Sequence, residues 1–177
     1  MKKLNNNSNP EFLNEYLIHI KIVQLLAQRT IEEYYTDIRL FLRYIHESKL
    51  NTGKDIEDID ISDMTVDELQ KITVSDIYNF IFYTSDERQN KDRARYRKLS
   101  SLRSFFKYLE KVAHIIKENP TKDLDVPVPK ASLPKFLSLN ESMRLLDAAD
   151  SADSKRDYCI ITLFLNCGMR LDRKSVV

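Results

Sequence analysis

Glycine is nearly absent from this chain: Gly53 and Gly168 are the only two in 177 residues, where an average protein carries about 7%. A P-loop and a Gly-x-Gly-x-x-Gly dinucleotide fingerprint both need several glycines at fixed spacing, so phosphate-cradling loops of either kind are excluded. Tryptophan is missing and prolines number five. With so few turn formers, the chain does not read as a sandwich or barrel, which needs a turn signal every ~8–12 residues. Two cysteines, Cys159 and Cys167, build neither a disulfide framework nor a four-ligand zinc site, and they point to a reducing, cytoplasmic compartment. The longest apolar run, Tyr158 to Leu165, falls far short of the ~20 residues that cross a bilayer. Met1 to Asn9 has lysines but no apolar stretch behind them, so neither an export signal nor a membrane partner is expected. Charge of one sign is also lacking: 28 basic and 27 acidic side chains leave a net +1. Only the distribution of that charge can speak for a polyanionic partner.

What is present is helical periodicity, and an all-α chain is the expectation. Asn9 followed by Pro10 reads as an N-cap and first turn, with Phe12, Leu13, Tyr16, Leu17, Ile20 and Val23 recurring at three- and four-residue steps to about Ala27. Thr30 and Glu33 read as a capping box opening a second stripe of Tyr34, Ile38, Phe41, Leu42 and Ile45, which ends near Ser48. Residues 51–70 then set Asp55, Glu57, Asp58, Asp60, Asp63, Asp67 and Glu68 against Lys54 alone, a loop or short helix turned away from any polyanion. Thr73 caps a third helix carrying Ile77, Phe80, Ile81 and Thr84.

The basic charge is concentrated next. Between Arg88 and Lys111 stand five arginines and four lysines, opposed by Asp92 and Glu110 alone. Leu99, Leu102, Phe105, Phe106, Leu109 and Val112 hold one face of this helix, while Arg93, Arg97, Ser100, Ser104, Lys107 and Lys111 step along the opposite one. Arginine suits phosphates and guanine edges, and serines interleave as small donors. On charge pattern alone nucleic acid is favoured over a plain solvated face, and a face docking an acidic protein stays open as a third reading. Tyr34, Phe41, Phe105 and Phe106 read as core.

Asn119-Pro120 is expected to stop the basic helix, and the proline-spaced Val126 to Lys135 reads as a linker between two bodies. Beyond it Asn140 is read as the cap of a helix with Met143, Leu145, Leu146 and Ala149, and a second helix runs from near Ser154 to Gly168. That last helix is apolar on nearly every side, as in a domain centre, and Cys159 and Cys167 on it read as small core residues. It is expected to be poorly ordered or to self-associate. His19, His46 and His114 lack a partnered carboxylate in any local motif, and no complete catalytic set, metal site or cofactor site is expected.

Several segments together resemble the tyrosine recombinases, the Xer and phage-integrase family: Thr30 to Leu42, Arg97 to Leu109, Glu118-Asn119-Pro120, Leu133 to Ser138 before Asn140-Glu141, and Cys167-Gly168-Met169-Arg170-Leu171. The resemblance implies a small helical-bundle, SAM-like core-binding domain over 9–125 forming half of a clamp on double-stranded DNA. It also implies a linker over 126–138 and the helical start of a catalytic domain over 139–177. It implies that Arg170 is the first catalytic arginine, that no cofactor is needed, and that the complete enzyme works with other protomers on paired sites. In the family a tyrosine attacks the scissile phosphate to form a 3′-phosphotyrosyl link; none of the nine tyrosines here follows Arg170, so this polypeptide is expected to bind DNA without cleaving it. The candidates for DNA contact are Arg93, Arg97, Lys98, Ser100, Arg103, Ser104 and Lys107, with Thr30 at a helix start and Lys135 on the linker as further phosphate positions.

Overall fold

The computed structural model describes residues 8–51, 53–86, 88–89, 91–124, 136–152 and 154–168. The chain divides into two compact units, Met1–Pro129 and Lys130–Val177. All regular structure among the described residues is helical, as the periodicities imply: α1 Glu11–Ile22, α2 Gln28–Leu50, a 3-10 turn Ile56–Asp58, α3 Val66–Gln70, α4 Val74–Asp86 and α5 Asp92–Lys111 in the first unit, α6 Leu139–Ser151 and α7 Lys155–Cys167 in the second.

The first unit is built around aromatic rings delivered by the expected stripes. Phe41 of α2 meets Phe80 of α4 edge-on at 5.1 Å and Phe106 of α5 at 5.9 Å, while Phe105 meets Tyr16 of α1 at 5.2 Å. All five are fully buried, and T-shaped rings at such distances add stabilisation beyond the area they bury. The acidic stretch after α2 is bound down by its apolar residues: Ile59, Ile61, Met64 and Leu69 enter the same core. His46, buried on α2, lies 3.5 Å from Asp63 and 3.4 Å from Glu68, so this histidine has the carboxylate partners that its local sequence does not show.

Helix boundaries depart from the periodicity where glycine is missing. α1 stops at Ile22 rather than Ala27, because Leu25 takes a left-handed conformation (φ 51°) and Leu26 N–H reaches back to the Ile20 carbonyl. α5 stops at Lys111 rather than at Asn119-Pro120, with His114 left-handed (φ 52°) and Ile115 N–H bonded to the Leu109 carbonyl. In both, a non-glycine residue takes the left-handed position and the next N–H bonds back to a carbonyl six residues earlier. Val112, just past the helix, is half exposed rather than core. At the N-termini, Asn9 is no cap: its side-chain Nδ2 donates to Asn14 Oδ1 and its Oδ1 accepts from the Tyr35 hydroxyl, tying the start of α1 to α2. Thr73 does cap α4, exchanging bonds with Asp76.

In the second unit, Ser138 rather than Asn140 caps α6, in a reciprocal capping box with Glu141. Ser154 accepts from Asp157 N–H at the start of α7, and Gly168 ends that helix at φ 58°. No residue of α7 is buried. Cys159 and Cys167 are exposed free thiols, not core, because α6 alone cannot surround an apolar helix. No helix among the described residues is long and apolar enough to cross a membrane.

Candidate nucleic-acid interface

The basic helix α5 packs its greasy face inward as expected, with Leu99, Leu102, Phe105, Phe106 and Leu109 all fully buried. The opposite line from Arg93 through Arg97, Ser100, Ser104 and Lys107 to Lys111 stays at the surface, with Arg93, Lys107 and Lys111 exposed and the three between them half-buried. Several of these side chains already have work inside the protein.

The centre of the arrangement is Asp37 on α2, an acid completely removed from solvent. Lys98 Nζ donates to its Oδ1 at 2.8 Å, and Arg97 Nη1 donates to its Oδ2 at 2.6 Å. The same Arg97 nitrogen meets the Glu33 carboxylate at 2.7 Å and the Glu33 carbonyl at 3.3 Å. Burial pushes the Asp37 carboxyl above its usual range against the pull of Lys98 and Arg97, and the neighbouring Glu33 charge pushes the same way. Lys98 is 7% exposed, so this candidate for DNA contact is held in an internal ion pair. Its ammonium is there because a buried carboxylate without a cation would be far more costly.

The other candidates divide similarly. Arg103 donates to the Leu124 carbonyl, closing the segment after α5 onto the bundle. Ser104 Oγ accepts from the Tyr16 hydroxyl at 2.9 Å, and burial pushes that phenol's pKa up. The Ser104 hydroxyl hydrogen is still available to a partner. Ser100 Oγ donates to the Tyr96 carbonyl at 3.0 Å. Arg95 reaches Asp92 and Ser85, and Arg88 reaches Glu57. Thr30 is not the cap of α2 but its third residue, half-buried in the first turn, with Ala27 at the cap position. There the Gln28 amide, not a capping box, engages Glu32. Lys135 and Arg170 lie outside the described residues.

Sequence reasoning missed Glu33 and Asp37. A signal was present for Asp37: with Tyr34, Ile38 and Phe41 it occupies the apolar stripe of α2, and an acid on a buried stripe requires a cation from the facing helix. Among the described residues, no group of three or more His, Cys, Asp or Glu side chains is placed to hold a metal ion.

No family model matches the chain. Among curated proteins, Tyrosine recombinase XerC of Caldanaerobacter subterraneus subsp. tengcongensis is 39% identical over 164 residues, covering 92% of this chain and 46% of that protein. A Tyrosine recombinase of Pseudothermotoga lettingae is 30% identical over 159 residues, covering 89% of this chain and 48% of that protein. The chain thus spans about half the length of these curated relatives. Of solved structures, the crystal structure of XerA recombinase aligns with 87% of this chain and 45% of its own at 21% identity, with a TM-score of 0.44.

Proposed function

This chain belongs to the tyrosine recombinases, and on that premise we propose that its first unit is the DNA-clamping, core-binding part of a site-specific recombinase. The domain would extend over residues 9–125, the linker over 126–138, and a catalytic-domain entry over 139–177. The observation that carries the reading is the surface line on α5: Arg93, Arg97, Lys107 and Lys111 follow one helical face, with the hydroxyls of Ser100 and Ser104 between them. A row of cations and small donors at that spacing matches what a helix offers a duplex. Lys107 is the phosphate contact; Arg93 and Arg97 carry the planar fork suited to phosphate or guanine. Thr30 stands in the first turn of α2, where unsatisfied N–H groups favour a phosphate. Arg103 and Lys98 contribute by holding the face in shape, and Lys135 would meet the backbone from the linker.

In the complete enzyme Arg170 would neutralise charge on the scissile phosphate while a tyrosine attacks it, and other protomers would occupy paired sites.

The test is affinity for a random-sequence duplex of about 30 base pairs across a salt series. Binding should weaken steeply as salt rises, and Lys107→Ala should reduce the slope by about 0.9, the value of one phosphate contact. No binding at low salt, with tight binding to an acidic protein, would replace this reading with a protein-docking role for the basic face.

A further inference from the structure

We propose that the Glu33 carboxylate on Arg97 opposes a DNA phosphate on the same guanidinium, so that Glu33 lowers the affinity for duplex; this rests on the DNA-binding reading above.

Arg97 Nη1 has two hydrogens and faces three acceptors: Asp37 Oδ2 at 2.6 Å, Glu33 Oε2 at 2.7 Å and the Glu33 carbonyl at 3.3 Å. That nitrogen is oversubscribed. Two of the acceptors are immovable. Asp37 is fully buried and its other oxygen is committed to Lys98, and the Glu33 carbonyl belongs to the helix backbone. The Glu33 carboxylate is different: its side chain is 44% exposed, and Arg97 is its only ion-pair partner among the described residues. The fixed pair aims the guanidinium, and the exchangeable acid covers one of its nitrogens, Nη1.

The Arg97 side chain is 36% exposed, and its Nε–H and Nη2–H groups have no acceptor among the described residues. These form the edge that takes a phosphate bidentately. A phosphate seated there would bring a second anion beside the Glu33 carboxylate, and the two would repel strongly at such short range. Rotating Glu33 into solvent breaks only an exposed pair, and Asp37 keeps the guanidinium aimed while this happens. Glu33 would therefore lower affinity for every sequence alike, as a repelling anion beside a backbone contact, while Asp37 acts as the positioning residue.

The experiment measures duplex affinity at about 0.1 M salt for the wild-type chain, Glu33→Gln, Arg97→Met and the double variant, with thermal melting to confirm folding. Glu33→Gln should bind about two- to fivefold tighter, the range of an exposed ion pair, and this gain should vanish in the Arg97→Met background. Equal gain with and without Arg97 would mean general repulsion between an acid and DNA, and would overturn the assignment. Wild-type binding that Glu33→Gln leaves unchanged would overturn it alone, with DNA binding intact. Absence of salt-dependent binding in the wild type would remove both.

Discussion

Asp37 on α2 and Lys98 on α5 form an ion pair at 2.8 Å in which neither side chain has appreciable contact with water. The pair joins residues 61 apart in sequence on two helices, and the buried Lys98 charge is tolerable only because Asp37 is present, while Asp37 has Arg97 as a second cation. Asp37→Asn would strand the Lys98 ammonium and should lower unfolding free energy by about 3–5 kcal/mol, measured by urea denaturation. Adding Lys98→Met to the same chain should recover a large part of the loss. Equal losses in the single and double variants would mean that Asp37 stabilises through Arg97 instead.

Leu25 is 79% exposed and sits at φ 51°, a conformation that costs a non-glycine residue about 1–2 kcal/mol. Its side chain contributes little burial in return. Leu25→Gly relieves that strain at the expense of a more flexible unfolded chain, and a net gain of up to about 1 kcal/mol is expected in thermal or urea melts. A loss would show that Leu25 packs more than its exposure implies.

Ser104 accepts the Tyr16 hydroxyl, whose residue is completely buried. Ser104→Ala leaves that hydroxyl without its acceptor and should cost about 1–3 kcal/mol. A neutral result in equilibrium unfolding would mean that Tyr16 finds another acceptor.

Burial raises the Glu68 carboxyl, but the Thr65 backbone N–H, His46 and Lys49 outweigh it and hold its pKa below the ordinary value. A carboxyl depressed in the folded state adds stability that is complete above its unfolded pKa and disappears as pH falls through the folded one. Stability should therefore decline on acidification below about pH 4.5, and Glu68→Gln should flatten that decline. An unchanged acid limb in denaturation against pH would remove Glu68 as its source.

With no residue of α7 buried, its amides should exchange much faster than those of α5, and Cys159 and Cys167 should react with a thiol reagent without denaturant. Protection of α7 equal to that of α5 in a monomer would contradict the exposed hairpin.

The amino-acid sequence by itself determined that the fold is helical and where its apolar faces lie, because a 3.6-residue period marks a buried face directly. Phe41, Phe80, Phe105 and Phe106 are core as their spacing demands, and the scarcity of turn formers speaks against a sandwich or barrel. It also placed the basic helix and the segments shared with the tyrosine recombinases. The helix ends were not legible, because Leu25 and His114 hold left-handed positions where glycine would have been the signal. Nor was the partnership of the charges. Whether Lys98 faces solvent or Asp37, and whether Arg97 is open or covered by Glu33, depends on how α2 is rotated against α5. The period along one chain does not contain that rotation; the packing of aromatic rings between the two helices decides it, since only that seating places a buried carboxylate opposite two cations.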